Sequence, residues 1–254
     1  MIIKPNIYSL LSDTKPIIIA RYGDSINFPE NTEISFRSAI YNKADLIQIK
    51  LQMTSDGHLI VFNESNLECK TNGNGHIGSH TLDYIKALDA GSWFHKKYSS
   101  QKILTFEEVL KTFGKEIPLS ILIAPGDISG IEASIENLLL QYDSIDDHEI
   151  YSSQKQYLRK FSRRNNRITL GYLLDQKNTI ESIAFLDEIH SNIIHIDLSL
   201  LDDSNIRNLH NNGKIAILNF YGSYYPLDNV LKLGVDGITT NDPLRLFKLI
   251  NKIY

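Results

Sequence analysis

Along this chain eight short runs rich in branched aliphatic residues alternate with amphipathic stretches, and no linker interrupts the series. The runs are Ile17–Ala20, Leu46–Met53, Leu119–Ile123, Glu149–Ser152, Ile168–Leu174, Ile193–Leu198, Lys214–Phe220 and Gly237–Thr239. The intervening spacing predicts helices over Thr32–Tyr41, Thr105–Phe113, Ile131–Tyr142, Gln154–Arg164, Thr179–Ile189, Asp203–Asn211, Pro226–Leu233 and Pro243–Lys252. Strands alternating with helices in this way imply βαβ units and a parallel sheet. Eight units without a break suit a closed α/β architecture, the (β/α)8 TIM barrel, better than an open doubly wound sheet. Residues 1–254 are therefore read as one domain, large enough to bury its core without a disulfide or metal staple.

The rhythm breaks once, between His58 and Lys102. This stretch holds a short strand-like piece at Leu59–Phe62, a glycine-rich segment at Thr71-Asn72-Gly73-Asn74-Gly75, and a short helix at Leu82–Leu88. It reads as an insertion after the second strand. Long insertions in compact barrels usually serve or shield a site. Gly73 and Gly91 are expected at turn positions that need a positive φ.

A net charge of -4 gives no sign of a polyanion-binding surface. The basic run Arg159, Lys160, Arg163, Arg164 and Arg167 falls on a helix and is expected to be a solvated outer face, so nucleic acid is not an expected partner. Cys69 is the only cysteine, which excludes an internal disulfide. No segment approaches transmembrane length and the first residues lack a signal-peptide core, so the default expectation is a cytoplasmic protein.

Six blocks in order resemble the glycerophosphodiester phosphodiesterase family. They are Pro29-Glu30-Asn31-Thr32 with Phe36 and Ala39, then Ala44-Asp45-Leu46-Ile47 leading to Thr54-Ser55-Asp56-Gly57, and then Thr71–Gly75. Leu88–Phe94 and Leu104–Leu110 follow, and Gly234–Pro243 closes the series. The resemblance implies a barrel that cleaves glycerol-based phosphodiesters in glycerophospholipid metabolism. It also implies one Ca2+ or Mg2+ on carboxylates, a histidine base, a histidine acid and an arginine. The blocks describe a scaffold, and the chemistry has to be checked position by position.

Where the family ends its first strand in His-Arg-Gly, this chain reads Arg21-Tyr22-Gly23. Arg21 then stands for the histidine and Tyr22 for the arginine. A one-residue slip would return Arg21 to the arginine position and leave Ala20 for the histidine. Either way the proton-transfer group is missing, because arginine stays protonated at neutral pH. The second strand should carry Glu and Asp two residues apart on the inward face; Gln48 and Lys50 occupy those positions. Asn63 replaces the second histidine, Leu122 the third metal carboxylate and Ala124 the phosphate-binding lysine. Leu218-Asn219 lies around the position of an expected tryptophan. Glu30 remains, with the role of organising the loop after the first strand.

Other groups offer little to rebuild the site. His76 and His80 have i,i+4 spacing but sit in a glycine-containing loop, and His195 with Asp197 is the only His/Asp pair left on a strand. Lys50 could instead take over the charge of the metal and, with Arg21, hold a phosphate or glycerophosphodiester without cleaving it. It could equally reach to water or pair with Glu30 or Glu64. The expectation is a pseudoenzyme: no catalytic residues, no metal, and a ligand site at Arg21, Gln48, Lys50, Asn63 and Glu30. Two other readings stand beside it. One is an active phosphoric diester hydrolase of lipid metabolism; the other is a structural or regulatory subunit whose barrel mouth is covered by a protein partner.

Overall fold

The computed structural model describes residues 7–11, 15–124, 130–174, 179–200, 203–221 and 226–254. Eight strands run parallel: β1 (Ile17–Arg21), β2 (Leu46–Met53), β4 (Leu119–Ile123), β5 (Glu149–Ser152), β6 (Thr169–Leu173), β7 (Ile193–Asp197), β8 (Ile215–Phe220) and β9 (Gly237–Thr240). β1 pairs with both β2 and β9, which closes the sheet into a barrel. The extra strand β3 (Leu59–Val61) lies antiparallel on β2 and opens the insertion. All eight expected barrel strands are present, shifted at their ends by no more than one residue.

Helices alternate with the strands. The short α1 (Ile7–Leu10) precedes β1, and α3 (Leu82–Ala87) lies in the insertion. The others are α2 (Glu33–Tyr41), α4 (Phe106–Thr112), α5 (Ile131–Gln141), α6 (Lys155–Arg164), α7 (Thr179–Glu188), α8 (Asp203–Asn211), α9 (Leu227–Lys232) and α10 (Pro243–Ile253). Local chemistry sets several of their starts. Thr105 accepts from the Glu108 amide at 3.0 Å while Glu108 accepts from the Thr105 amide at 2.8 Å, a reciprocal capping box. Asp242 caps α10, with Pro243 in its first turn.

Burial divides each strand by a period of two. Ile18, Ala20, Ile47, Ile49, Leu51, Ile121 and Ile194 pack outward with helix residues such as Phe36, Val109 and Leu186 in the main core. The alternate residues turn into the barrel. At its N-terminal end Ile17, Ile19, Leu46, Ile193 and Ile217 form an apolar floor, plugged by Ile7 of α1. Layers of the barrel interior take side chains from alternate strands. The observed register therefore places Gln48, Tyr151, His195 and Thr239 in one layer, with Arg21, Leu122, Leu173 and Asn219 in the next layer toward the mouth. Lys50 and Asp197 lie above these.

The insertion has its own apolar cluster of Ile60, Phe62, Leu67, Ile77, Ile85, Leu88, Ala90 and Ile103, tied to the barrel wall through β3. The expected positive φ at Gly73 and Gly91 is corrected here. Neither has one; Gly75 does, at +91°. Gly91 is required because a Cβ there would lie 1.9 Å from the Tyr98 carbonyl oxygen, whereas at Gly73 a Cβ would meet only the tip of the Leu88 side chain, at 2.6 Å. Close approach, not backbone conformation, selects glycine at Gly91. No helix among the described residues is long and apolar enough to cross a membrane.

Candidate functional site at the barrel mouth

The end of β1 sets the site. Ala20 faces the helices and Ile19 the barrel floor, so period-two alternation turns Arg21 inward, in register with Gln48. Tyr22 then adopts a positive φ of 58°, and its amide donates to the Gln48 carbonyl at 2.9 Å. That turn brings the Tyr22 ring back beside Arg21. The guanidinium carbon lies 4.6 Å from the centroid of Tyr22 and 4.1 Å from that of Tyr221, just beyond β8. A planar cation between two aromatic faces is held in place with its charge retained. Burial pushes the Tyr22 hydroxyl up to about 12, with Arg21 opposing the rise.

On β2, Lys50 points into the mouth and its ammonium donates to the Asn63 carbonyl at 2.5 Å. Burial holds its pKa below the ordinary lysine value; nearby Glu64 opposes that shift and Arg21 adds to it. No ion pair among the described residues involves Lys50, so neither Glu30 nor Glu64 takes it as a salt-bridge partner. Asn63 donates to the Glu64 carboxylate at 3.2 Å. Glu30 sits at the same rim, where burial raises its pKa and Lys70 and Arg21 oppose the rise. Lys70 lies 3.9 Å from Glu30 and 3.7 Å above the Trp93 ring, so the insertion supplies a cation and an aromatic face beside the mouth.

Below Arg21 the barrel is polar on one side and filled on the other. Gln48 donates to the Tyr151 hydroxyl, and the Tyr151 ring stacks on His195 at 3.9 Å. His195 is 2.8 Å from Glu149, both fully buried, and Glu149 accepts from Ser120 at 2.8 Å. Burial pushes the Tyr151 hydroxyl well above its ordinary value. His195 and Asp197 do share the inward face, but they do not form a pair. His195 is committed to Glu149 one layer down, while Asp197 hydrogen-bonds Tyr221. The loop histidines are likewise occupied: His76 accepts from the Gly78 amide at 3.1 Å, and His80 is 2.9 Å from the Asn74 carbonyl.

A match to the model of the glycerophosphoryl diester phosphodiesterase family covers residues 22–245. This chain belongs to that family. A glycerophosphodiester phosphodiesterase of Caldanaerobacter subterraneus is 31% identical over 242 residues, covering 94% of this chain and 99% of its own length. One from Bacillus subtilis is 32% identical over 264 residues, covering 97% and 90%. Among solved structures, an Oleispira antarctica phosphodiesterase in complex with the product sn-glycerol-3-phosphate superposes with a TM-score of 0.85. It is 22% identical and covers 95% of this chain and 99% of its own.

Within the phosphodiesterase family, then, this member carries an amide, an ammonium and an apolar side chain where the resemblance implied three carboxylates. The set does not fit a divalent cation. Gln48 offers one neutral oxygen at most, Leu122 offers none, and Lys50 brings a positive charge into the same space. At an effective dielectric of about 20, a unit charge 4 Å from a dication is repelled by roughly 8 kcal/mol. Among the described residues no cluster of three His, Cys, Asp or Glu side chains is arranged to hold a metal.

The structure brings Arg21, Lys50, Asn63 and Glu30 together at the mouth, with Gln48 in the layer below, Tyr22 against Arg21 and Leu122 on the inward face of β4. It adds Tyr221, Tyr151, Thr239 and Lys70, and sets the already noted Asp197 and Asn219 on the inward face beside them. For Tyr151 and Thr239 the signal in the sequence was the inward alternation on β5 and β9, readable only once the phase of each strand is known; Tyr221 and Lys70 lie outside the strands and carried no such signal. The basic run on α6 and just after it is engaged elsewhere: Arg159, Lys160, Arg164 and Arg167 pair with Glu188, Glu132, Glu136 and Asp146.

Proposed function

We propose that this chain is a non-catalytic glycerophosphodiester phosphodiesterase homologue that holds a phosphate or phosphodiester at its barrel mouth without a metal. One observation carries the reading. Two inward cations on neighbouring strands, Arg21 and Lys50, stand where the resemblance implies a histidine and a metal carboxylate, and neither has an ion-pair partner among the described residues. Arg21 is built as a phosphate donor, because its planar fork is held by Tyr22 and Tyr221 and cannot lose its charge. Lys50 adds a compact ammonium on the next strand. The sn-glycerol-3-phosphate bound by the Oleispira antarctica protein supports a glycerophosphate-type ligand for this pocket as well.

The same residues argue against turnover. Arg21 cannot accept a proton at neutral pH, and Asn63 can neither donate nor accept one near pH 7 as an acid or base. His195 is fully buried, stacked on Tyr151 and held by Glu149. Purified protein incubated with glycerophosphocholine and Ca2+ or Mg2+ tests the reading. Release of sn-glycerol-3-phosphate at a rate indistinguishable from buffer is expected. Turnover abolished by a chelator would establish the hydrolase instead.

A further inference from the structure

Around the Arg21 guanidinium the barrel has two walls of different chemistry. The β1–β2 wall is cationic, with Arg21 and Lys50. The β7–β8–β9 wall carries Asp197, Asn219 and Thr239, adjacent inward residues whose positions follow from the register Asp197 with Asn219 and Asn219 with Thr239. On this second wall one carboxylate oxygen of Asp197, both amide atoms of Asn219 and the hydroxyl of Thr239 are buried without a hydrogen-bond partner. Asn219 is 2% exposed and Thr239 0%. Facing them, the Nε of Arg21 and half of the Gln48 amide are also without partners. Buried polar atoms without partners are costly to a fold, so their concentration on adjacent inward positions points to an outside group that satisfies them.

The chemistry of these atoms limits the occupant. An anion against this wall would face the Asp197 carboxylate, and a cation would face Arg21. A neutral group carrying O–H satisfies both sides. It donates to Asp197 and to the Asn219 carbonyl oxygen, and it accepts from the Asn219 amide and the Arg21 Nε–H. Thr239 can serve as either donor or acceptor. We infer that Asp197, Asn219 and Thr239 form a subsite that recognises the uncharged, hydroxyl-bearing part of the ligand, with the phosphate seated across from it on Arg21 and Lys50. This assignment rests on the phosphate-binding reading above and makes these three residues the determinants of which phosphate is retained.

Three probes of graded chemistry test it by calorimetry: inorganic phosphate, n-propyl phosphate and sn-glycerol-3-phosphate. The last two share their carbon chain and anionic group and differ in two hydroxyls. The subsite predicts that wild-type protein binds sn-glycerol-3-phosphate at least about tenfold more tightly than propyl phosphate, as expected for the loss of paired hydrogen bonds in a dry site. Asn219→Leu and Thr239→Val should bring that ratio toward one and leave affinity for inorganic phosphate unchanged. Both replacements remove unpartnered polar atoms at nearly constant shape, so thermal unfolding should be unchanged or shifted upward, which separates loss of recognition from loss of fold. Equal affinity for the two esters in wild type, as when ordered water alone fills the wall, overturns the subsite and leaves the cationic site standing. No binding of any of the three probes overturns both.

Discussion

The Arg21 guanidinium carbon lies 4.1 Å from the Tyr221 ring centroid, which joins the end of β1 to the end of β8 across the barrel mouth. Tyr221 is itself tied to Asp197 on β7, and burial raises its hydroxyl above the ordinary tyrosine value, followed by the effect of the Asp197 charge. Arg21 is thus oriented by an aromatic face that is positioned by a carboxylate.

That relationship makes Tyr221 a positioning residue for the phosphate site. Tyr221→Ala should weaken phosphate binding by about twofold to thirtyfold, the range of a cation–π contact of roughly 0.5–2 kcal/mol. Tyr221→Phe keeps the ring and should bind phosphate within about twofold of wild type. Titration calorimetry distinguishes the two; equal losses in both would assign the effect to the hydroxyl and not to stacking.

The Glu149–His195 pair is expected to matter for stability and not for binding. Both side chains are fully buried, and either truncation leaves the other without its partner. Glu149→Ala should lower unfolding stability by about 3 kcal/mol or more, read as a shift in urea midpoint. The Ser120 hydroxyl would lose its acceptor as well. An unchanged midpoint would contradict the view that this cluster supports the floor of the mouth.

Lys50 gives the site a pH dependence with a defined sign. Burial depresses its pKa in the folded protein, so the ammonium is lost at lower pH than in the unfolded chain. Folding stability from this group therefore rises with pH between the depressed value and 10.5, because the unfolded chain binds the extra proton there. Phosphate affinity moves the other way, falling as pH climbs through the depressed value. Lys50→Arg should carry tight binding to higher pH, since arginine keeps its charge. Parallel affinity profiles for wild type and Lys50→Arg would show that Lys50 does not contact the anion.

Glu30 titrates with the opposite sense. Burial raises its folded pKa above 4.5, opposed by Lys70 and Arg21, so its contribution to stability is present at low pH and lost as pH rises through the raised value. Glu30→Gln should flatten that part of the stability curve, measured by thermal unfolding between pH 4 and 7. A curve identical to wild type would place the transition on another group.

The sequence made the barrel legible because each strand is short, branched and bounded by an amphipathic helix; only strand ends moved. It also put Gln48 and Lys50 on the inward face of β2, since Ile47, Ile49 and Leu51 declare the opposite face. That Arg21, and not Ala20, turns inward became visible only from its register with Gln48. Tyr221, Asn219 and Thr239 were not legible as neighbours of Arg21, because only closure of β9 onto β1 brings them there. His195 looked like a partner for Asp197 by spacing, yet its actual partner, Glu149, is 46 residues away in sequence. The glycines of the insertion were misread for a similar reason: the carbonyl that excludes a side chain at Gly91 belongs to Tyr98, a contact set by tertiary packing.

Calorimetric titration of sn-glycerol-3-phosphate into the full chain in EDTA addresses the central claim most directly. Saturable binding is expected in the chelator, unaltered by added Ca2+ or Mg2+, and at least tenfold weaker in Lys50→Ala, in line with the loss of a charge-assisted hydrogen bond of about 1.5–3 kcal/mol. Binding that appears only when a divalent cation is supplied, or that survives Lys50→Ala at full strength, would contradict it.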